Sequence, residues 1–476
     1  MSSFLTTTAI CAAIAIASAA AQVADTPRSN RTDWFKDAQW GVFTHYLTGA
    51  NMSAADWNKR VADFDVPGLA KQLEAIGCKY YFITLGQNSG HYCSPNAAYD
   101  KYAGIAPSKC STRDLVADIQ AAIAPKGIKM MLYLPCQASN ADPVAQKGFG
   151  LAQGTRDQPI DEAFAHKWAE VIHEWSARYG SKVGGWWFDG AYAHVHFNEA
   201  IARIYAEAVR SGNPDSIVAF NPGVQITNWT EAEDYTAGEI NEPAQIECSG
   251  RWLKNAQWHI LSYLGPTWCH KPPRFSPEAV IEITRGIIEN EGVVTWDVPI
   301  EPSGLIPQPF VEQLVALHKG LAEPKREEPP IPPGNVAFHK KAKLLDVTGT
   351  KPLQVNGGKH FARCGVDGDP NTKAQAGGEW PWTYHVDLGA EHSVSKVVIT
   401  FDKECFATEY KVNLSADGKE WITIAHILGC TGGRREHPIA NLPARYVRVQ
   451  ALKPDGPGQE GRQMGVAELE VYAEER

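Results

Sequence analysis

Val183-Gly184-Gly185-Trp186-Trp187-Phe188-Asp189-Gly190 is an apolar, aromatic run that ends on a carboxylate followed by glycine. Such a run, too short for a helix and bracketed by polar segments, reads as a strand buried on both faces. Amphipathic stretches flank it: 161–179 before and 194–212 after. A strand with a helix on either side is the unit of a parallel sheet. Working outward, six more runs of the same kind appear at 39–46, 79–85, 129–135, 216–222, 258–264 and 292–298. Between them 66–76, 112–126, 276–290 and 308–320 carry helical patterning. Seven strand–helix units over 33–322, with no G-x-G-x-x-G after the first strand, predict an α/β fold of (β/α)8 TIM-like barrel type rather than an open doubly wound sheet. The eighth strand is expected within the irregular 225–255 region.

Residues 323–334 (EPKREEPPIPPG) are charged and proline-rich, which predicts a stiff linker. Beyond it, 335–476 holds short alternating runs (HVDL, KVVITF, EYKVNLS, WITIAHI, RYVRVQAL, VAELEVYA) separated by turn residues. These predict a second unit, a β-sandwich of jelly-roll type. At the other end, residues 5–21 are uncharged and apolar and finish in Ala-Ser-Ala-Ala-Ala. They predict a signal peptide over 1–21 and a secreted or periplasmic protein with no membrane anchor. The net charge of −9 supplies no positive field for phosphate backbones, so nucleic acid is not an expected partner. Of ten cysteines, nine follow the signal; none form C-x-x-C pairs or zinc spacings, and Cys93 with Cys110 is the one pair that brackets a loop.

In a barrel the reacting groups stand at the C-terminal ends of the strands. That rule collects His45, Tyr46, Gln87, Asn88, Tyr133, Asp189, Asn221, Trp296 and Asp297. Asp189 is singled out because a carboxylate closing an apolar run is costly unless it faces the barrel mouth; an aspartate capping the next helix is the alternative. Glycoside chemistry needs a second carboxyl group, with a raised pKa, to protonate the departing oxygen. Glu231, Glu233, Glu239, Glu242 and Glu247 crowd into 231–247. Glu231, Glu233 and Glu242 read more easily as solvated loop charges; Glu239 is favoured by its small and apolar neighbours, with Glu242 and Glu247 as rivals. No nucleophile elbow, metalloprotease or phosphate-loop motif is present, and His91, His194, His196 and His270 are scattered. A hydrolase with no cofactor for catalysis is expected.

Trp40-Gly41-Val42-Phe43-Thr44-His45, Ala55-Asp56-Trp57, Arg113-Asp114-Leu115-Val116, Lys126-Gly127-Ile128-Lys129, Trp187-Phe188-Asp189-Gly190 and Gly292-Val293-Val294-Thr295-Trp296-Asp297-Val298-Pro299 together resemble the retaining α-L-fucosidase family. The resemblance implies Asp189 as nucleophile, Glu239 in Thr236-Ala237-Gly238-Glu239 as acid/base, and a sugar pocket lined by His45, Trp57, Tyr133 and Trp187. Where that family has a histidine pair after the second strand, this chain has Gln87 and Asn88, which keep hydrogen-bonding capacity in a different geometry. The implied function is an exo-acting glycosidase releasing fucose or a fucose-like sugar from a glycan. Its alternatives are a glycosidase for another galacto-configured sugar and a catalytically silent glycan-binding protein.

The C-terminal unit resembles the discoidin-like (factor 5/8 type C) family through Val366-Asp367-Gly368-Asp369-Pro370-Asn371-Thr372, Val386-Asp387-Leu388-Gly389, Leu414-Ser415-Ala416-Asp417-Gly418, Ala444-Arg445-Tyr446-Val447 and Ala467-Glu468-Leu469-Glu470-Val471-Tyr472. That resemblance implies a carbohydrate-binding module with a structural calcium on Asp367, Asp369, Thr372 and Glu468, and glycan contacts from Trp380, Trp382 and Arg434.

Overall fold

The computed structural model describes residues 28–137, 140–154, 156–246, 248–324, 333–346, 348–350, 353, 361–369, 372–375, 382–453 and 464–474. The signal segment 1–21, most of the linker, Glu247 and Trp380 lie outside the described residues.

Seven parallel strands form one sheet: β1 (Trp40–Thr44), β2 (Tyr80–Thr84), β3 (Lys129–Pro135), β4 (Val183–Asp189), β5 (Ile217–Phe220), β6 (His259–Tyr263) and β7 (Val293–Asp297). Their order is β5-β4-β3-β2-β1-β7-β6. The remaining gap, between β5 and β6, is bridged by residues 234–240. Asp234 N–H donates to Val218 O on the β5 side, while Leu261 N–H donates to Gly238 O and Ile240 N–H to Leu261 O on the β6 side. Tyr235 and Glu239 pair in parallel with Gln257 and Leu261. This segment is the eighth stave and closes the ring within the predicted 225–255.

The stave is irregular for a local reason. Gly238 has φ +62°, and a Cβ there would come within 2.0 Å of His259 O, so glycine alone fits the close approach to β6. Asp234 anchors the stave's start. Its buried carboxylate accepts from Arg31 Nε (3.1 Å), Arg210 Nη2 (2.8 Å) and the Val218 N–H (3.0 Å).

Period-two alternation sorts each strand into a barrel-interior face and a helix-facing face. On β4, Trp186 and Phe188 join the outer core, where Phe188 meets Tyr205 of the helix Glu199–Gly212. Trp187 lies inside with Phe43, Phe82, Met131, Tyr133, Ala237 and Leu261. Gly185 leaves room for the Ile217 and Met131 side chains to meet below it. Two residues beyond the inward set, the rim therefore collects His45, Asp189, Asn221, Glu239, Tyr263 and Asp297. Helices hold the staves in place: Val66–Ile76 is capped by the Asp65 side chain and ended by left-handed Gly77, and Glu162–Tyr179 starts on the Asp161 cap.

The C-terminal unit is an antiparallel β-sandwich of β8 (Lys341–Asp346), β9 (Ala374–Gln375), β10 (Trp382–Phe401), β11 (Glu409–Ser415), β12 (Ile422–Ile427), β13 (Arg434–Lys453) and β14 (Gly465–Ala473). The predicted runs HVDL and KVVITF belong to one 20-residue strand, β10, whose pairing with β13 shifts register between Asp387 and His392. Among the described residues no helix is long and apolar enough to cross a membrane, and Cys93 and Cys110 are free thiols.

Candidate active site

Asp189 sits at the C-terminal end of β4, facing the barrel mouth rather than capping a helix; Asn198 fills the cap of the helix that follows. Both of its oxygens are held. Oδ2 accepts from Tyr133 Oη at 2.6 Å and lies 3.5 Å from Gln87 Nε2. Oδ1 accepts from the Gly190 N–H and from Asn221 Nδ2, each at 2.9 Å. Gln87 Nε2 also donates to Tyr133 Oη. Tyr133 stacks on Trp187 at 5.4 Å, and the Trp187 indole N–H donates to Ala237 O at 3.0 Å. The wall beside Asp189 is thus fixed by packing below and hydrogen bonds above. Burial, and then the Asp189 charge, push the Tyr133 hydroxyl well above its ordinary pKa, so it remains a donor.

Glu239 stands across from Asp189. Asn221 Nδ2 donates to Glu239 Oε2 at 2.6 Å as well as to Asp189 Oδ1. One amide nitrogen thereby touches both carboxyl groups, and the two accepting oxygens are no more than about 5.5 Å apart. The amide is itself locked: Asn221 Oδ1 accepts from Gly223 N–H, and Asn221 N–H donates to Phe188 O. Burial first, and the Asp189 charge second, raise the Glu239 pKa above the ordinary glutamate value; the Asn221 hydrogen bond and the charge on His45 oppose the shift. One neighbour is held by four donors while the other is biased toward its protonated form.

His45 closes the ring from the opposite side. Its Nδ1 lies 2.7 Å from Asp297 Oδ1, and its ring is edge-on to Tyr133 at 5.8 Å. Burial alone would lower its pKa, but Asp297 outweighs that and pushes it up to about 10, so the imidazole is cationic over the physiological range.

The other expected residues fall differently. Trp57 is 1 % exposed, as buried as Tyr133, and packs between Tyr46 and His91 with its indole N–H donating to Tyr92 O. Asn88 is half-buried in the loop after β2, where its carbonyl accepts from the Ala141 N–H. Glu242 pairs with Arg274 at 3.6 Å. Glu233 is fully buried rather than solvated, accepting from Asn228 and the Trp229, Thr230 and Phe220 N–H groups, and burial pushes its pKa up to about 8. The residue whose role sequence reasoning missed is Asn221. Strand-end position named it, but nothing in the sequence shows that its amide spans two carboxyl groups.

Residues 59–322 match the family model described as Alpha-L-fucosidase, which is more than half of the chain. The chain belongs to the α-L-fucosidase family. It is a glycoside hydrolase. A second model, described as a NedA-like, galactose-binding domain, matches 364–449, within the C-terminal sandwich. Among solved structures, the chain is similar to a putative α-L-fucosidase from Bacteroides thetaiotaomicron (18% identity, 94% of this chain and 97% of that one, TM-score 0.48). It is also similar to a family 29 fucosidase from Ruminococcus gnavus in complex with fucose (14% identity, 94% and 95%, TM-score 0.42). An endo-fucoidan hydrolase of glycoside hydrolase family 107 shares the fold (15% identity, 67% and 70%, TM-score 0.50). No curated protein matches the chain.

In the sandwich of this fucosidase-family protein, Asp367, Asp369 and Thr372 meet in one turn, which Glu468 touches through the Gly368 N–H. Thr372 Oγ1 lies within 3.2 Å of Asp367 Oδ1 and Oδ2, Asp369 O and Cys364 O. Glu468 Oε2 accepts from the Gly368 N–H at 3.0 Å, while its buried Oε1 has no partner. Burial, with repulsion from Asp367, pushes Glu468 up to about 8. An all-oxygen shell with an orphaned carboxylate oxygen fits a hard cation. Trp382, by contrast, is fully buried in the sandwich core and does not face a surface glycan, while the exposed Arg434 is paired with Glu436 and Glu470.

Proposed function

We propose that the protein is an exo-acting retaining glycosidase that releases terminal fucose, or a fucose-like sugar, from glycans by double displacement. Asp189 attacks the anomeric carbon while Glu239 protonates the departing glycosidic oxygen; the resulting glycosyl ester is then hydrolysed by a water that Glu239 deprotonates. The single observation that carries this reading is the shared Asn221 amide. It keeps one oxygen of each carboxyl group no more than about 5.5 Å apart, short of the spacing of about 6.5–9.5 Å at which inverting sites admit a water and compatible with direct attack by the second carboxylate. The intact pair also argues against a catalytically silent glycan-binding protein. Proton NMR of the first sugar released from an aryl α-L-fucoside should show the α-anomer before mutarotation; a β-anomer would overturn the mechanism. Gln87 in place of a histidine favours testing other galacto-configured aryl glycosides in the same panel, because its amide presents two donors and one acceptor where an imidazole presents one of each.

We also propose that the C-terminal sandwich is a carbohydrate-binding module that holds calcium through Asp367, Thr372 and Glu468, with Asp369 contributing its main-chain carbonyl, and that residues 1–21 export the protein. Calcium at a hundredfold excess over its Kd should stabilise the sandwich by about 2.7 kcal/mol. Calorimetry should therefore show EDTA lowering the C-terminal transition and Ca2+ restoring it, with Glu468→Ala insensitive to both. A transition that ignores the chelator would remove calcium from the account.

A further inference from the structure

The sequence offers no metal-binding spacing, yet the fold assembles one cluster of mixed donors. His45 from the end of β1, Asp297 from the end of β7 and Cys269 from the loop after β6 bring a ring nitrogen, a carboxylate oxygen and a thiol within 4.8 Å of one another. The Asp297 carboxylate is fully buried and already oriented, accepting from His45 Nδ1 at 2.7 Å and from the Cys269 N–H at 3.1 Å. Cys269 holds φ +64°, the left-handed region that residues with side chains seldom occupy without a compensating role. It is also the one exposed cysteine among the described residues.

We propose that His45, Cys269 and Asp297 form a binding site for a borderline-soft divalent cation, Zn2+ by the chemistry of its donors, and that the bound ion excludes sugar from the barrel mouth. Nitrogen, thiolate and carboxylate are the ligand set of zinc, and three protein ligands leave a fourth tetrahedral position open to the cavity. Bonds of about 2.0–2.3 Å require the thiol to draw in by roughly an ångström and the His45 Nδ1–Asp297 Oδ1 pair, 2.7 Å apart, to open slightly around the ion. The exposed loop carrying Cys269 can supply that movement, whereas β1 and β7 are paired along their length. Coordination displaces two protons, the S–H proton of Cys269 and the ring proton of the cationic His45, and both leave to solvent. The exclusion rests on the reading that His45 lines the sugar pocket, 5.8 Å by ring centroid from the Tyr133 that holds Asp189; the metal site itself does not.

The test uses the full chain in calcium-containing buffer, so that oxygen sites are filled, with Co2+ and Zn2+ as probes. Co2+ should produce a near-ultraviolet thiolate-to-cobalt charge-transfer band that Zn2+ abolishes by displacement. Calorimetric titration with Zn2+ should give one site, weakened at least about tenfold in Cys269→Ser, the smallest loss seen even when a supporting group of a metal site is removed. On an aryl α-L-fucoside, Zn2+ should raise KM in the parent protein and leave Cys269→Ser unaffected, and without metal the two should have equal activity. No cobalt–thiolate band, or the same band in Cys269→Ser, would overturn the site. A band and one Zn2+ site with unchanged KM would uphold the site and overturn the exclusion. A protein silent on every glycoside would still answer the binding arm, so failure of the fucosidase reading and failure of the metal site are separable.

Discussion

Asp189→Asn is expected to lower kcat on an aryl α-L-fucoside by roughly 10⁴-fold or more while the protein stays folded. The loss follows from removing the attacking oxygen pair, since an amide oxygen does not form the glycosyl ester. The fold survives because asparagine is isosteric and its new donor has somewhere to go. Tyr133 Oη, which donates to Asp189 Oδ2, can turn to accept from the amide. The Oδ1 position can remain a carbonyl, accepting from Gly190 N–H and Asn221 Nδ2 as before. Asp189→Ala goes further and opens space lined by those unsatisfied donors. Azide should enter it and attack the anomeric carbon from the side Asp189 occupied, giving a β-L-fucosyl azide, inverted relative to the substrate. Circular dichroism and the unfolding midpoint check the fold; stopped assays and NMR of the azide adduct check the chemistry. Turnover equal to the parent protein in Asp189→Asn would take the nucleophile away from β4.

The same strand shows why so much of the barrel was legible. Strands buried on both faces are mostly apolar, so β1 to β7 announce themselves as runs with few polar breaks, and their observed bounds fall within the predicted ones. The eighth stave could not be found that way. Asp234, Thr236 and Glu239 interrupt it with polar side chains whose partners, Arg31, Arg210, His259 and Asn221, lie outside the segment. A periodicity argument sees only the segment itself. Short helices such as Ala54–Ala62 and Ala97–Ala103 escaped for a related reason: two turns give too few repeats to reveal a face, and their Ser53 and Asn96 caps are common loop residues.

The candidate site was legible to the extent that it obeys strand alternation. Asp189, Asn221 and Asp297 each lie two residues past an inward-facing position, and a polar side chain there has only the barrel mouth to face. What alternation does not reveal is pairing. It cannot tell that Asn221 reaches across to Glu239, nor that Cys269, on a loop and far from His45 in sequence, completes a donor cluster. Nor does it show what each aromatic packs on. Trp57 and Trp187 look alike in sequence, but Trp187 stacks beneath the Asp189 wall while Trp57 is walled in by Tyr46 and His91.

Glu239→Ala should divide substrates by their leaving groups. Natural glycans depart as alkoxides and need the proton that Glu239 supplies, so their hydrolysis should fall about 10²–10⁴-fold. Activated aryl fucosides need little help in forming the glycosyl ester, but its hydrolysis still lacks a base, so they should show a burst followed by slow turnover. Azide, which requires no deprotonation, should restore that second step. It enters on the face vacated by Glu239 after Asp189 has already inverted the centre once, so the product is an α-L-fucosyl azide, opposite to that from Asp189→Ala. The pH profile adds a check with a definite sign. Burial and the Asp189 charge raise the Glu239 pKa, and the acid works only while protonated, so activity on natural glycans should decline as pH rises through a value above that of an ordinary glutamate. In Glu239→Gln that alkaline limb should vanish along with most of the rate. An unchanged limb, or an azide product of β configuration, would transfer the acid/base role away from the eighth stave, and the Asn221 bridge would then be a structural tie between two groups of which only one reacts.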